Sequence, residues 1–282
     1  MTGIFPLVEL GGSGQVINVA LANGFPPETY LPMLRPLMKS FRVVCLLPRA
    51  MWPGQTPPIV PRDWKADVTT DLLAGIEHHG LREVIAIGHS FGGIASALAV
   101  KERPDLFRAL ILLDPTILDP ASSAELARLR ASNAPPESYP LAARALRRQD
   151  TFAHRSEAFD YLRSRGVFKD WNHAALSQYV DAGLVQTDAG FVLAWPKEWE
   201  AYYFRTIYPN FRNDIPALNG VVPTLIVRGE MSDTYVEGTA AEVARLWPAA
   251  THTVIAGEGH LFPQTAAEQT SEVLQKWLSS AL

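Results

Sequence analysis

With 282 residues, 48% of them hydrophobic and 19% charged, the chain has the length for one large α/β domain, or one such domain carrying an insertion, and is too apolar to be disordered. A formal net charge of −4 argues against a general nucleic-acid binder. The single cysteine, Cys45, excludes an internal disulfide and a cysteine-built metal site, and inside Val43-Val44-Cys45-Leu46-Leu47 it reads as a small buried hydrophobe rather than a catalytic thiol.

No apolar stretch is long enough to span a bilayer, and no basic segment followed by a long apolar one opens the chain, so the expectation is a cytoplasmic protein without a membrane span. Residues 7–10 and 16–21 read as strands joined by a hairpin turn at Gly11-Gly12-Ser13-Gly14, a loop that lacks the Lys-Ser/Thr pair of a phosphate cradle. The continuous apolar run 43–47 predicts a strand buried on both faces. Residues 67–79 predict a helix with Val68, Leu72 and Ile76 on one stripe and Gly80 as its stop. A strand at 84–87, a helix at 94–100 and a strand at 109–113 follow. The alternation resumes with strands at 224–227 and 251–255 and a closing amphipathic helix at 265–278. Short apolar strands alternating with helices predict a doubly wound, mostly parallel sheet.

Residues 118–214 differ. Helical stretches rich in Arg and aromatic residues dominate, without strand alternation, and predict a mainly helical cap inserted into a core formed by residues 1–117 and 215–282. Eight arginines stand against five acids between positions 125 and 165, a pattern that reads first as a solvated helix face.

Gly88-His89-Ser90-Phe91-Gly92 lies between a buried strand and a helix. A tight strand-to-helix turn holds the serine in a strained conformation costing about 1–3 kcal/mol, and leaves no room for side chains two positions to either side. The turn exposes the hydroxyl at a helix N-terminus, where free N–H groups favour developing negative charge. Ser90 is therefore the candidate nucleophile, and it needs a base and a group to orient that base. Of the seven histidines, His78 and His79 end a helix, His89 lies within the turn, His154 and His173 fall in the insertion, and His252 opens a strand. His260 follows the last strand in Ala256-Gly257-Glu258-Gly259-His260, where an open parallel sheet binds ligands, and is the candidate base. The acid is expected at a neighbouring strand end: Asp233 is placed first, Asp114 second and Glu230 third. Backbone N–H groups of Phe91 and of Phe25, in Asn23-Gly24-Phe25-Pro26, are the candidate oxyanion donors.

These motifs together resemble the α/β-hydrolase superfamily, in members with a helical cap, and Ser90, Asp233, His260 follow that family's order of nucleophile, acid and histidine. Two segments depart from its pattern: Asn23-Gly24 stands where the family often has His-Gly, and residues 48–56 replace its usual Gly-rich loop. The resemblance implies a serine hydrolase acting on a small-molecule ester through an acyl-enzyme, with no cofactor and no metal. Thioesters, lactones, amides and C–C bonds use nearly the same machinery, and a non-catalytic binding protein of the same fold is the alternative class. The aromatics of the insertion, Trp171 and Trp195 among them, together with Asn23 and Trp52, are candidates for a hydrophobic substrate pocket.

Overall fold

The computed structural model describes residues 5–169 and 171–282. Its strands in chain order are β1 (Leu7–Gly11), β2 (Gln15–Ala20), β3 (Phe41–Leu46), β4 (Val84–His89), β5 (Phe107–Leu113), β6 (Thr151–Phe152), β7 (Leu184–Thr187), β8 (Gly190–Leu193), β9 (Thr224–Gly229) and β10 (Thr251–Ile255). Seven of them form one sheet in the order β1-β3-β2-β4-β5-β9-β10, parallel throughout except for the β1–β3 pair.

The central strands are buried on both faces. Every residue of β4 is buried, as are six of the seven in β5. That is why they read as continuous apolar runs rather than alternating ones. Cys45 in β3 is fully buried, and burial pushes its thiol pKa far up, as befits a packing residue. The topology reverses between β2 and β4: β3 is added on one side, and β5, β9 and β10 on the other. Parallel sheets open a crevice at such a switch point, outside the carboxyl ends of the strands. The chain leaves β2, β4, β5, β9 and β10 at that edge.

The described helices of seven or more residues are α1 (Thr70–His78), α2 (Phe91–Glu102), α3 (Pro120–Ala131), α4 (Pro140–Leu146), α5 (Arg155–Arg163), α6 (His173–Gly183), α7 (Lys197–Arg205), α8 (Glu237–Leu246) and α9 (Ala267–Ala281). Helix α1 is preceded by a π-helical turn, Lys65–Thr69. Among the described residues no helix is long and apolar enough to cross a membrane.

One expectation is corrected and another is completed. β1 and β2 do not form a hairpin, because both edges of β2 are already taken: Ile17 pairs with Val43 on one side and with Ile85 on the other. β1 pairs antiparallel with β3 instead. The segment between β5 and β9 carries α3–α7 but also a three-stranded sheet, β6-β8-β7. These strands are two to four residues long, and three of the four residues of β7 are exposed, so no apolar alternation marks them.

Candidate active site

Ser90 sits between the last residue of β4 and the first of α2, with φ 55° and ψ −117°. This is left-handed backbone for a residue with a Cβ, and it stores about 1–3 kcal/mol of strain. The flanking glycines are required by contact. A Cβ on Gly88 would lie 2.5 Å from the Gly92 carbonyl oxygen, and one on Gly92 would lie 2.3 Å from the Ala20 carbonyl oxygen. The Ser90 N–H still bonds to the Leu113 carbonyl (3.0 Å), which ties the turn to β5.

The Ser90 hydroxyl meets His260 Nε2 at 2.9 Å, and His260 Nδ1 meets Asp114 Oδ2 at 2.6 Å. Ser90 is 8% exposed and Asp114 is fully buried. The Asp114 carboxylate also accepts from the Gly229 N–H (2.9 Å) and from the Ser232 hydroxyl. A buried carboxylate needs such donors, and these come from β9 and the loop after it. Since a carboxylate only accepts, Nδ1 carries the imidazole proton. Nε2 then offers its lone pair to the Ser90 O–H. This tautomer and orientation are what general-base activation of a serine requires.

The carboxylate at His260 is therefore that of Asp114, the second-placed candidate, and not Asp233. Asp114 takes φ 42° and keeps its N–H on the Val227 carbonyl (2.8 Å), so it stays in the sheet ladder at the strand end. Beyond β9 the chain turns. Ser232 points inward, its Oγ also accepting the N–H groups of Thr234 and Tyr235. The next residue, Asp233, is consequently exposed, and its carboxylate accepts only a 3.3 Å contact from Thr234 Oγ1 among the described residues. Glu230 braces the histidine loop from outside by accepting the Gly257 N–H (2.7 Å).

His89 supports the same loop from within. The Ala22 N–H donates to the Tyr30 hydroxyl (2.9 Å), which donates to His89 Nδ1 (2.8 Å), and His89 Nε2–H donates to the His260 carbonyl (3.0 Å). Complete burial, and secondarily the nearby His260, push the His89 pKa well below the usual histidine range and keep it neutral.

Of the expected oxyanion donors, the Phe91 N–H begins α2 and has no backbone acceptor among the described residues. The Phe25 N–H is not free in this state; it closes a turn onto the Ala22 carbonyl at 3.2 Å. Asn23 gives its side-chain N–H to the Glu200 carbonyl of α7 (2.9 Å), while Tyr179 of α6 donates to the Gly24 carbonyl (2.9 Å). The loop after β2 is thus fastened to the insertion from two helices. Trp171 stacks on Phe25 with ring centroids 6.1 Å apart, and Trp195 meets Phe91 at 6.5 Å. Trp52 packs on Phe5 and gives its indole N–H to the Leu47 carbonyl.

Sequence reading missed Thr116, whose hydroxyl is 3.0 Å from Ser90 Oγ, and Ser232. Both are hydroxyl residues in loops just beyond a strand end, a signal too common to single either out.

Comparison with known proteins identifies the chain at the level of family. The family model for the α/β-hydrolase fold matches residues 23–265. The chain belongs to the α/β-hydrolase family. It is similar to Lipase LipV of Mycobacterium tuberculosis, with 37% identity over 65 residues. That match covers 23% of this chain and only 24% of the lipase. Among solved structures it resembles E-2-(acetamidomethylene)succinate hydrolase, with a TM-score of 0.77, 20% identity, and 97% and 94% of the two chains covered. It also resembles a thermophilic esterase from Thermogutta terrifontis, with a TM-score of 0.69, 20% identity, and 98% and 93% covered. At these identities the structural likeness speaks for the fold alone.

Proposed function

We propose that this α/β hydrolase cleaves a small or medium hydrophobic carboxylic ester through an acyl-enzyme on Ser90. One observation carries the reading: the continuous contact from Ser90 Oγ through His260 to Asp114, at 2.9 and 2.6 Å. His260 Nε2 takes the Ser90 proton as Oγ attacks the ester carbonyl, and then protonates the departing alcohol. Water, activated by the same nitrogen, releases the acid. Asp114 holds the ring and stabilises the imidazolium. The Phe91 N–H is the first oxyanion donor; the Phe25 N–H, held at 3.2 Å by Ala22, is the second when a stronger acceptor arrives.

Residues 118–214 act as a cap in this reading. Trp171 and Trp195 set an aromatic wall beside Phe25 and Phe91, which suits an apolar acyl or alcohol group. The local similarity to a lipase supports the ester class. The test is labelling with a fluorophosphonate, followed by turnover of p-nitrophenyl esters of rising chain length. Labelling should map to Ser90, and Ser90→Ala should abolish labelling and reduce kcat by at least about 10³-fold without unfolding. A folded Ser90→Ala protein with full ester turnover would refute the assignment.

A further inference from the structure

The loop after β5 brings a second side chain to the nucleophile. Thr116 follows Asp114 by two residues, and Pro115 between them lies against α2, where a Cβ on Gly93 would meet it at 3.3 Å. The Thr116 N–H reaches towards the Ser90 carbonyl at 3.4 Å, and its Oγ1 lies 3.0 Å from Ser90 Oγ. An inventory of hydrogens fixes the direction of that contact. His260 Nδ1–H is spent on Asp114, so Nε2 is an acceptor, and the one hydroxyl proton of Ser90 is spent on Nε2. Thr116 must therefore be the donor and Ser90 Oγ the acceptor.

We infer that Thr116 assists release of the acyl group from Ser90, and so acts chiefly on deacylation. The inference rests on the Ser90–His260 reading above. During acylation the donated bond has opposed effects: it lowers the nucleophilicity of Oγ and stabilises the charge that forms as its proton leaves. In the acyl-enzyme the effects align. Donation to the ester oxygen withdraws electron density from the acyl carbon and makes it more open to water. The water oxygen bonds to that carbon while its proton passes to His260 Nε2. The Ser90 Oγ–C bond then breaks with its electron pair remaining on Oγ, and the proton on Nε2 moves to Oγ. The products are a carboxylic acid and the free hydroxyl. Thr116 stabilises Oγ as that charge builds, and loss of one such donor is expected to slow the step by about 10- to 100-fold.

The test uses the full chain, Thr116→Val and Thr116→Ser, with p-nitrophenyl butyrate in stopped flow and a fluorophosphonate as an independent probe of Ser90. In Thr116→Val, kcat and KM should fall together by about 10- to 100-fold, leaving kcat/KM within about threefold. A burst of one p-nitrophenol per active site should appear, with butyrylated Ser90 visible by mass spectrometry. Thr116→Ser should restore kcat and KM to within about threefold of wild type. A purely structural role would instead lower kcat/KM and the labelling rate together. That result, absence of a burst, or failure of Thr116→Ser to rescue would overturn the assignment of Thr116 while wild-type labelling and turnover leave the hydrolase reading intact. A wild-type protein that neither labels at Ser90 nor turns over the ester would overturn both.

Discussion

The loops after β5 and β9 each present an aspartate at the same edge of the sheet, yet only one reaches the histidine. Asp114 follows β5 directly and remains hydrogen-bonded to β9 through its own N–H, so its carboxylate enters the buried space between the two strands. Asp233 comes four residues after β9 ends, past a turn that already uses Ser232 as its inward-facing residue. What separates them is not chemistry but the direction in which the backbone releases each side chain. The buried aspartate also gains donors from its neighbour: the β9 loop supplies Gly229 N–H and Ser232 O–H to the acid that the β5 loop carries. The two loops form one device, with the acid on one and its solvation on the other.

The largest difference is expected between the two carboxylates themselves. Asp114→Asn should lower kcat by about 10³–10⁴-fold while the protein stays folded, because the His260 ring loses its acceptor and the stabilisation of its charged form. Asp233→Asn should change kcat by less than about twofold and leave stability within about 0.5 kcal/mol. Equal losses in steady-state assays of the two variants would contradict the difference drawn here. Moving the acid sharpens it: Ser232→Asp in the Asp114→Asn background should recover about tenfold of the lost kcat, since position 232 already points at the Asp114 carboxylate. No recovery would mean that position 232 does not aim a carboxylate at His260.

Smaller effects test the support. Ser232→Ala should cost about 1–2 kcal/mol by chemical denaturation and lower kcat by about tenfold, by removing one donor from a buried charge. A wild-type denaturation midpoint would show the hydroxyl to be dispensable. His89 tests the far side of the histidine loop. Its pKa lies well below the unfolded value of about 6.5, so above that pH both states are neutral and stability does not depend on this group. Below it the unfolded state binds the extra proton, and stability falls as pH drops towards the folded pKa. Thermal unfolding of His89→Gln between pH 7 and 5 should therefore show a shallower decline than wild type. Parallel declines would mean that another group drives the acid sensitivity.

The sheet was largely legible because its central strands are apolar throughout and bounded by turns; β4 runs two residues beyond its apolar stretch, straight into Ser90. Ser90 and His260 stood out because a strand-to-helix glycine turn and a loop after the final strand restrict where those side chains go. The carboxylate that contacts His260 was placed second for a physical reason. Sequence spacing gives the distance from a strand end but not the side-chain direction after a turn, and the Ser232 turn reverses it. The hairpin expected at residues 11–14 failed because pairing depends on which strand edges are free, a property of the whole sheet. The donor at Thr116 was invisible because it depends on a tautomer set by Asp114.

Proton NMR of the His260 ring reads which carboxylate holds its Nδ1 proton. The His260–Asp114 contact predicts a far-downfield imidazole N–H resonance in wild type, assigned through a labelled histidine, that survives Asp233→Asn and disappears in Asp114→Asn. A resonance lost in Asp233→Asn and kept in Asp114→Asn would contradict it.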